Sequence, residues 1–174
     1  MIKIEELKKE VYTGKDFTVR YQTEGYYDIQ ATETGFDIRY KNFTAPKEMS
    51  FRDTFFNEWL DYPIAFGAFD NGQLVGFVEG TLEKWNNRYR ISNICVFDSS
   101  KRHMGIGSLL MEAILAEAEK SGARMVILET QTCNEKAIAF YKKHDFKIIG
   151  FDLFAYSNSD SERKEIRIEM GKFC

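Results

Sequence analysis

The chain is poor in the residues that staple or metallate small proteins. Its three cysteines, Cys95, Cys133 and Cys174, are odd in number and far apart, which is neither a disulfide framework nor zinc-ligand spacing. Two histidines, His103 and His144, cannot build a histidine-rich centre, so no metal is expected. No apolar run approaches the roughly 20 residues of a membrane span. The opening MIKIEELKKE lacks the apolar centre of a signal peptide, so the expectation is a cytoplasmic protein with no membrane partner. A large excess of one charge is missing as well, with 24 Lys and Arg against 27 Asp and Glu. The formal net charge is −3, and no run of Lys and Arg supplies the basic face that a nucleic acid requires. A mildly acidic chain suits a small cationic partner instead. Internal repeats, low-complexity segments and linkers are absent. At 174 residues the chain reads as one domain, 1–174, able to bury a core without staples.

What is present is a change of period along the chain. The segments DFTVRYQT, YYDIQATET and FDIRYKNFT read as strands punctuated by Gly25 and Gly35. SFRDTFFNEWLDYP predicts a short helix, with Ser50 as N-cap and a stop before Pro63. IAFGAFDNGQLVGFVEGTLEKW is a hairpin about Asn71-Gly72, the strongest short-range turn signal. RYRISNICVFD is a further strand, with Ile91, Cys95 and Val96 pointing inward. Apolar residues then fall at Ile106, Leu109, Leu110, Ala113, Ile114 and Ala118, which is helical spacing up to Lys120. Gly122 closes that helix. RMVILET is a central strand, NEKAIAFYKKH a second helix, DFKIIGFDLFAY and KEIRIEMGKF the last strands, and SNSDSERK a solvated turn. This order predicts a mixed α/β sheet with helices on its faces. The parallel neighbours should lie around the strand–helix–strand unit from Arg88 to Thr130, because parallel strands need a crossover.

The stretch KRHMGIGSLL puts Gly105 and Gly107 where the first long helix begins. Glycine weakens a helix by about 0.5–1 kcal/mol relative to alanine, so the backbone there bends sharply or comes close to a ligand. The first N–H groups of a helix have no intrahelical partner, and the dipole makes that end partly positive. Together with Arg102 this makes a phosphate cradle. A bare Gly-x-Gly fits a tight turn that binds nothing equally well. A P-loop is excluded by the missing Gly-Lys-Ser/Thr. A dinucleotide fingerprint is weakened by Leu110, which stands where a third glycine belongs.

RHMGIG resembles the Arg/Gln-x-x-Gly-x-Gly/Ala signature of the GCN5-related N-acetyltransferases (GNAT). NICVFDSSK resembles that family's fourth strand and its following loop. LETQTCNEKAIAFYKKHDF resembles its Leu-Glu…Asn-x-x-Ala-x-x-x-Tyr-x-x-x-Gly-Phe block, in the usual order and separation. The resemblance runs from about Val75 to Phe151. Within the family, WNNRYRISNICV and the ending LETQ…FKIIGFDLFAYSN look most like the streptothricin acetyltransferases.

The resemblance implies a GNAT-like fold: a central mixed, mostly antiparallel sheet with splayed parallel strands and helices on both faces. It implies acetyl-CoA as co-substrate and direct transfer of the acetyl group to a primary amine. The pantetheine arm is expected along Ile94, Cys95 and Val96. The pyrophosphate is expected on the backbone of Arg102, His103, Met104, Gly105, Ile106, Gly107 and Ser108. Asn134 matches the asparagine that contacts the cofactor, and Tyr141 the tyrosine whose hydroxyl protonates the leaving sulfur. Glu129 matches a glutamate that acts as base through water in relatives acting on protein N-termini. Glu79 and Glu83 are substitute bases or amine-binding groups, and Trp85 a wall of the acceptor slot. Asp53, Glu58 and Asp61 are further carboxylates able to grip an ammonium. Two departures stand out. Asp145 replaces the glycine before Phe146, and the acidic residues of the streptothricin enzymes' fourth strand are here Ser92 and Asn93, both neutral. The acceptor is read as a small cationic molecule, with a protein N-terminus as the alternative. A non-catalytic acyl-CoA-binding module is the alternative of another class. The oligomeric expectation is a monomer or homodimer.

Overall fold

The computed structural model describes residues 1–97, 99–102 and 104–174. Its elements are β1 (Lys3–Glu6), α1 (Lys9–Tyr12), β2 (Asp16–Ala31), β3 (Phe36–Thr54), β4 (Ile64–Asp70), β5 (Gln73–Glu83), β6 (Arg88–Val96), α2 (Ile106–Lys120), β7 (Met125–Gln131), α3 (Glu135–Lys143), β8 (Lys147–Asp152), α4 (Asp160–Arg163) and β9 (Arg167–Phe173). Residues Met1–Arg20, Ser50–Ile127 and Phe173–Cys174 form one compact unit, and Tyr21–Met49 with Leu128–Lys172 a second. Among the described residues no helix is long and apolar enough to cross a membrane.

In the first unit the strands follow the order β1-β4-β5-β6-β7. β1, β4, β5 and β6 pair antiparallel. β6 reaches its neighbour β7 through α2, the crossover that parallel strands require. The β4–β5 turn is Asn71-Gly72 with both φ positive, +50° and +80°, the primed geometry that matches strand twist. α2 buries Ile106, Leu110, Met111, Ile114 and Ala118 against β1, β4, β5 and β6. Gly76 of β5 faces this helix, since a Cβ there would lie 3.4 Å from the Leu110 side chain. Side chains alternate along a strand, so Phe77 points the other way, into an aromatic core. Its ring centroid lies 4.8 Å from Phe17 and 4.4 Å from Phe55. Burying a side chain of this size stabilises the fold by about 1.5–3 kcal/mol.

In the second unit the order is β7-β9-β8, with β8 and β9 antiparallel. The paired β2 and β3 form a separate two-stranded ribbon. Glu135, the first residue of α3, ties that ribbon to the helix. Its carboxylate accepts the Glu24 N–H at 2.8 Å and a short bond from the Tyr40 hydroxyl. Asp28 is 5% exposed and accepts from Lys41 at 2.6 Å, Gln30 at 2.7 Å and Lys164 at 3.2 Å.

Three expectations are corrected. The N-terminal third holds two long strands rather than three short ones, because β2 runs unbroken through Gly25. SFRDTFFNEWLDYP is no helix: β3 continues to Thr54 and turns follow. The reason is long-range. The Phe55 N–H bonds the Lys15 carbonyl at 3.0 Å and the Phe55 carbonyl accepts from Gly14 at 3.3 Å, while Phe56 and Tyr62 take φ of +53° and +49°, incompatible with a right-handed helix. SNSDSERK is not merely solvated. It contains α4, and the buried Asp160 accepts the Tyr156 N–H at 2.7 Å and the Ser157 hydroxyl at 2.6 Å. Asp145 takes φ +67°, so the left-handed helix end survives without glycine.

Candidate active site

The glycine loop belongs to the first unit. A 3₁₀ turn, Ser99–Lys101, follows β6, and Lys101 donates to Asp70 at the end of β4 at 2.6 Å. The Arg102 guanidinium bonds its own chain: Nη2 donates to the Arg20 carbonyl at 2.6 Å and to the Val96 carbonyl at 3.3 Å. It braces the loop more than it reaches outward. His103 lies outside the described residues, and Met104 is exposed. Gly105 is the N-cap of α2 at φ +81°, a left-handed conformation, and no side chain caps the helix. The Leu109 N–H bonds the Gly105 carbonyl at 3.1 Å, and among the described residues the Ile106 N–H has no i−4 partner. A Cβ at Gly105 would meet nothing within 4 Å. An uncapped helix start with open space over it fits a phosphate group.

On β6, Ile94, Cys95 and Val96 pair with Val78, Phe77 and Gly76 of β5. Their β5-facing edge is therefore spent, and β7 is the neighbour of β6 on the other side. Cys95 is buried and its thiol is pushed well up by burial, so it is no nucleophile. The pairing is irregular just before this stretch. Asn93 faces Glu79 while Ile91 faces Gly80, which leaves Ser92 as an extra, bulged residue. The Ser92 hydroxyl lies 3.2 Å from Glu79 Oε2 and 3.1 Å from the Glu79 carbonyl, and its one proton serves either acceptor. Glu79 Oε1 accepts the Phe56 N–H at 2.7 Å. The Asn93 amide also bonds Glu79, and its Nδ2 donates to Asp53 Oδ2 at 3.1 Å. Asp53 Oδ1 accepts from the Thr54 N–H at 2.8 Å and from Asn57 at 3.0 Å. Glu79 is completely buried. Burial raises its pKa; hydrogen bonds from Phe56, Ser92 and Asn93 oppose the rise, and the Asp53 charge adds to it.

Glu83 is differently placed. Burial alone would raise its carboxyl, but Arg90 at 2.5 Å, Asn86 at 2.9 Å and Arg88 at 3.4 Å hold it below the usual range. It closes the β5–β6 hairpin electrostatically. Trp85 is exposed in that turn, and beside it the Lys84 ammonium lies 5.1 Å from the centre of the Tyr62 ring.

The remaining expected residues belong to the second unit. Glu129 occupies the exposed position of β7, 3.8 Å from Arg167, and hydrogen-bonds the Tyr156 hydroxyl. Asn134 is the N-cap residue of α3, yet its side chain makes no capping bond; the amide is not spent on the helix. Tyr141 is buried on α3 with its ring 5.7 Å from Phe140 and 6.3 Å from Phe146.

The sequence profile described as the acetyltransferase (GNAT) family matches residues 32–146. The chain belongs to the acetyltransferase (GNAT) family. It is 28% identical over 152 residues to a streptothricin acetyltransferase of Streptomyces lavendulae, covering 82% of this chain and 79% of that protein. It is 26% identical to a streptothricin acetyltransferase of Escherichia coli, covering 89% and 86%. The crystal structure of a nourseothricin acetyltransferase superposes with a TM-score of 0.79 at 26% identity, covering 99% of this chain and 98% of that one. This GNAT protein is an acetyl-CoA-dependent N-acetyltransferase. Sequence reasoning missed how Ser92, Asn93, Asp53 and Glu79 come together, and it missed Tyr156 and Arg167 around Glu129. The bulge that aims Ser92 has no local signature. The Glu83–Arg88 pairing could have been foreseen from the hairpin itself.

Proposed function

We propose that this GNAT enzyme acetylates a primary amine of a small polycation of the streptothricin class. The observation that carries this is the extent of the likeness. The nourseothricin enzyme covers 99% of the chain, so it reaches β2 and the C-terminal strands that lie outside the family profile at residues 32–146.

Acetyl-CoA supplies the acetyl group as an activated thioester. The N–H groups at the start of α2 would hold its pyrophosphate, with Arg102 bracing the loop beneath and Arg102 to Ser108 lining it. Ile94–Val96 of β6 would hold the pantetheine arm, and the Asn134 amide would make a further cofactor contact. Tyr141 serves as the acid for the departing thiolate. An amine of pKa about 10.4 is mostly protonated at neutral pH, so a proton acceptor is needed too. Glu129 and Glu79 are the two carboxylates in contention, and Glu129 already has a guanidinium beside it. Glu58 and Asp61, exposed on the turn after β3, would draw a cationic acceptor in.

The test is free-thiol release from acetyl-CoA with streptothricin, aminoglycosides, polyamines and short peptides with free N-termini. Strong release with streptothricin is expected. Release with peptides alone would refute this acceptor and favour an enzyme of protein N-termini.

A further inference from the structure

The reaction needs a group that takes a proton from the attacking amine, and the carboxylates differ sharply in how far they are already neutralised. Glu83 is bound by Arg88 and Arg90, and Glu129 by Arg167. Glu79 and Asp53 are joined by one neutral amide, Asn93, and no lysine or arginine pairs with either among the described residues. Two carboxylates set together without a cation, one of them completely buried, are expensive to keep. Such an arrangement is typical of sites that handle protons.

Glu79 itself is sealed from solvent. Of its hydrogen-bond partners Phe56, Ser92 and Asn93, Ser92 is the one only partly buried. Ser92 is the bulged residue of β6, and bulges re-aim side chains. Its hydroxyl is within donating distance of Glu79 Oε2 at 3.2 Å and of the Glu79 carbonyl at 3.1 Å; its single proton rotates to either, and the oxygen keeps its lone pairs as acceptors. Ser92 is also placed at the correct end of the strand. The phosphate cradle lies beyond Val96, so an arm running from it along Val96, Cys95 and Ile94 brings its reactive end toward Ser92, about 13 Å back along the strand.

We propose that Ser92 is the group that receives the acceptor amine's proton and passes one on to Glu79. As the amine nitrogen bonds to the thioester carbonyl carbon, its proton moves to Ser92 Oγ while the Ser92 hydroxyl proton moves to Glu79 Oε2. The carbon–sulfur bond breaks, and the thiolate takes up a proton from the acid, which solvent then restores. Serine ends as it began, with Glu79 carrying the proton until solvent removes it. Ser92 touches the substrate, and Glu79 acts through it. This supplies from β5 the negative charge that β6 lacks at Ser92 and Asn93. It rests on the reading of the α2 N-terminus as the pyrophosphate site.

The groups facing Glu79 are the Phe56 N–H from the turn after β3, Ser92 and Asn93 from β6, and Asp53 from the end of β3. Asp53 is the charged member, and its charge holds the Glu79 proton more tightly. Neutralising Asp53 must therefore move the acidic limb of kcat/KM to lower pH.

The experiment measures kcat/KM from pH 5.5 to 9 for wild type, Ser92→Ala, Ser92→Thr, Asp53→Asn and Glu129→Gln, with streptothricin and with spermidine. Calorimetry of CoA checks the cradle separately. Rate with spermidine alone would refute the proposed acceptor and still read out the relay. Ser92→Ala should lose about 100-fold in kcat with CoA affinity intact, the usual worth of a positioned proton acceptor. Ser92→Thr, which keeps the hydroxyl, should recover most of that loss, and Asp53→Asn should shift the limb downward. The proposal is overturned if Ser92→Ala stays within about threefold of wild type, if Asp53→Asn leaves the limb in place, or if Glu129→Gln abolishes the limb.

Discussion

Replacing Gly105 with alanine separates what the glycine does for the fold from what it does for the cofactor. The residue sits at φ +81° as the N-cap of α2. A left-handed conformation costs an L-residue about 1–2 kcal/mol. Nothing lies within 4 Å of the added Cβ, so no steric term joins that cost. For a chain of 174 residues, 1 kcal/mol corresponds to about 2–4 °C, and Gly105→Ala should melt about 2–8 °C below wild type. It should remain folded. The same methyl group would enter the open space at the start of α2, where the proposed pyrophosphate lies. Losing one charge-assisted hydrogen bond there is worth about 1.5–3 kcal/mol, or about ten- to a hundredfold in Kd for CoA. Pantetheine lacks the pyrophosphate and should bind both proteins alike. Melting curves and calorimetry with both ligands make the test. Equal CoA affinity in the two proteins would refute the cradle, and equal loss with pantetheine would show a general distortion of the loop.

Tyr141→Phe should lower kcat by about 10²–10⁴-fold, as for removal of a positioned acid, with CoA affinity unchanged by calorimetry. Asp28 is held below the usual carboxylate range chiefly by the Lys41 hydrogen bond, against the upward pull of burial, with Lys164 adding to the lowering. Its stabilisation is complete above the unfolded-state value of about 3.9 and is lost as pH falls through the lower folded-state value. Asp28→Asn should therefore flatten the acid side of a denaturation-against-pH curve and lower stability at pH 7. Cys174 is exposed, whereas Cys95 and Cys133 are buried. A thiol titration of the native enzyme should give one fast equivalent, with the other two appearing only in denaturant.

Local pattern carried the second half of the chain well. α2 spans Ile106 to Lys120, as its apolar spacing implies, and the glycine at position 122 follows it at φ +72°. The hairpin at Asn71-Gly72 was readable for the same reason, because its turn chemistry is confined to two residues. The segment from Ser50 to Pro63 was not. Its apolar residues mimic a helix, but its backbone is held by Lys15 and by the Glu79 side chain, partners that no local window contains. The roles of Glu79 and Glu83 were equally hidden. They lie four residues apart on one strand, yet one meets arginines across the hairpin and the other meets Asn93 and a bulged serine. Strand register decides between them, and register is a property of two strands at once.

The Arg102 brace has a consequence for how this enzyme can change. Its guanidinium is bound to the Val96 and Arg20 carbonyls, so in the proposed cradle a phosphate would meet peptide backbone rather than a charged side chain. Every amino acid but proline carries that N–H. A library randomised at Met104 and Ser108, with the two glycines, Arg102 and an apolar residue at 106 retained, should keep CoA binding in a large share of its members. The loop is then a surface on which new side chains can be tried without giving up the old ligand.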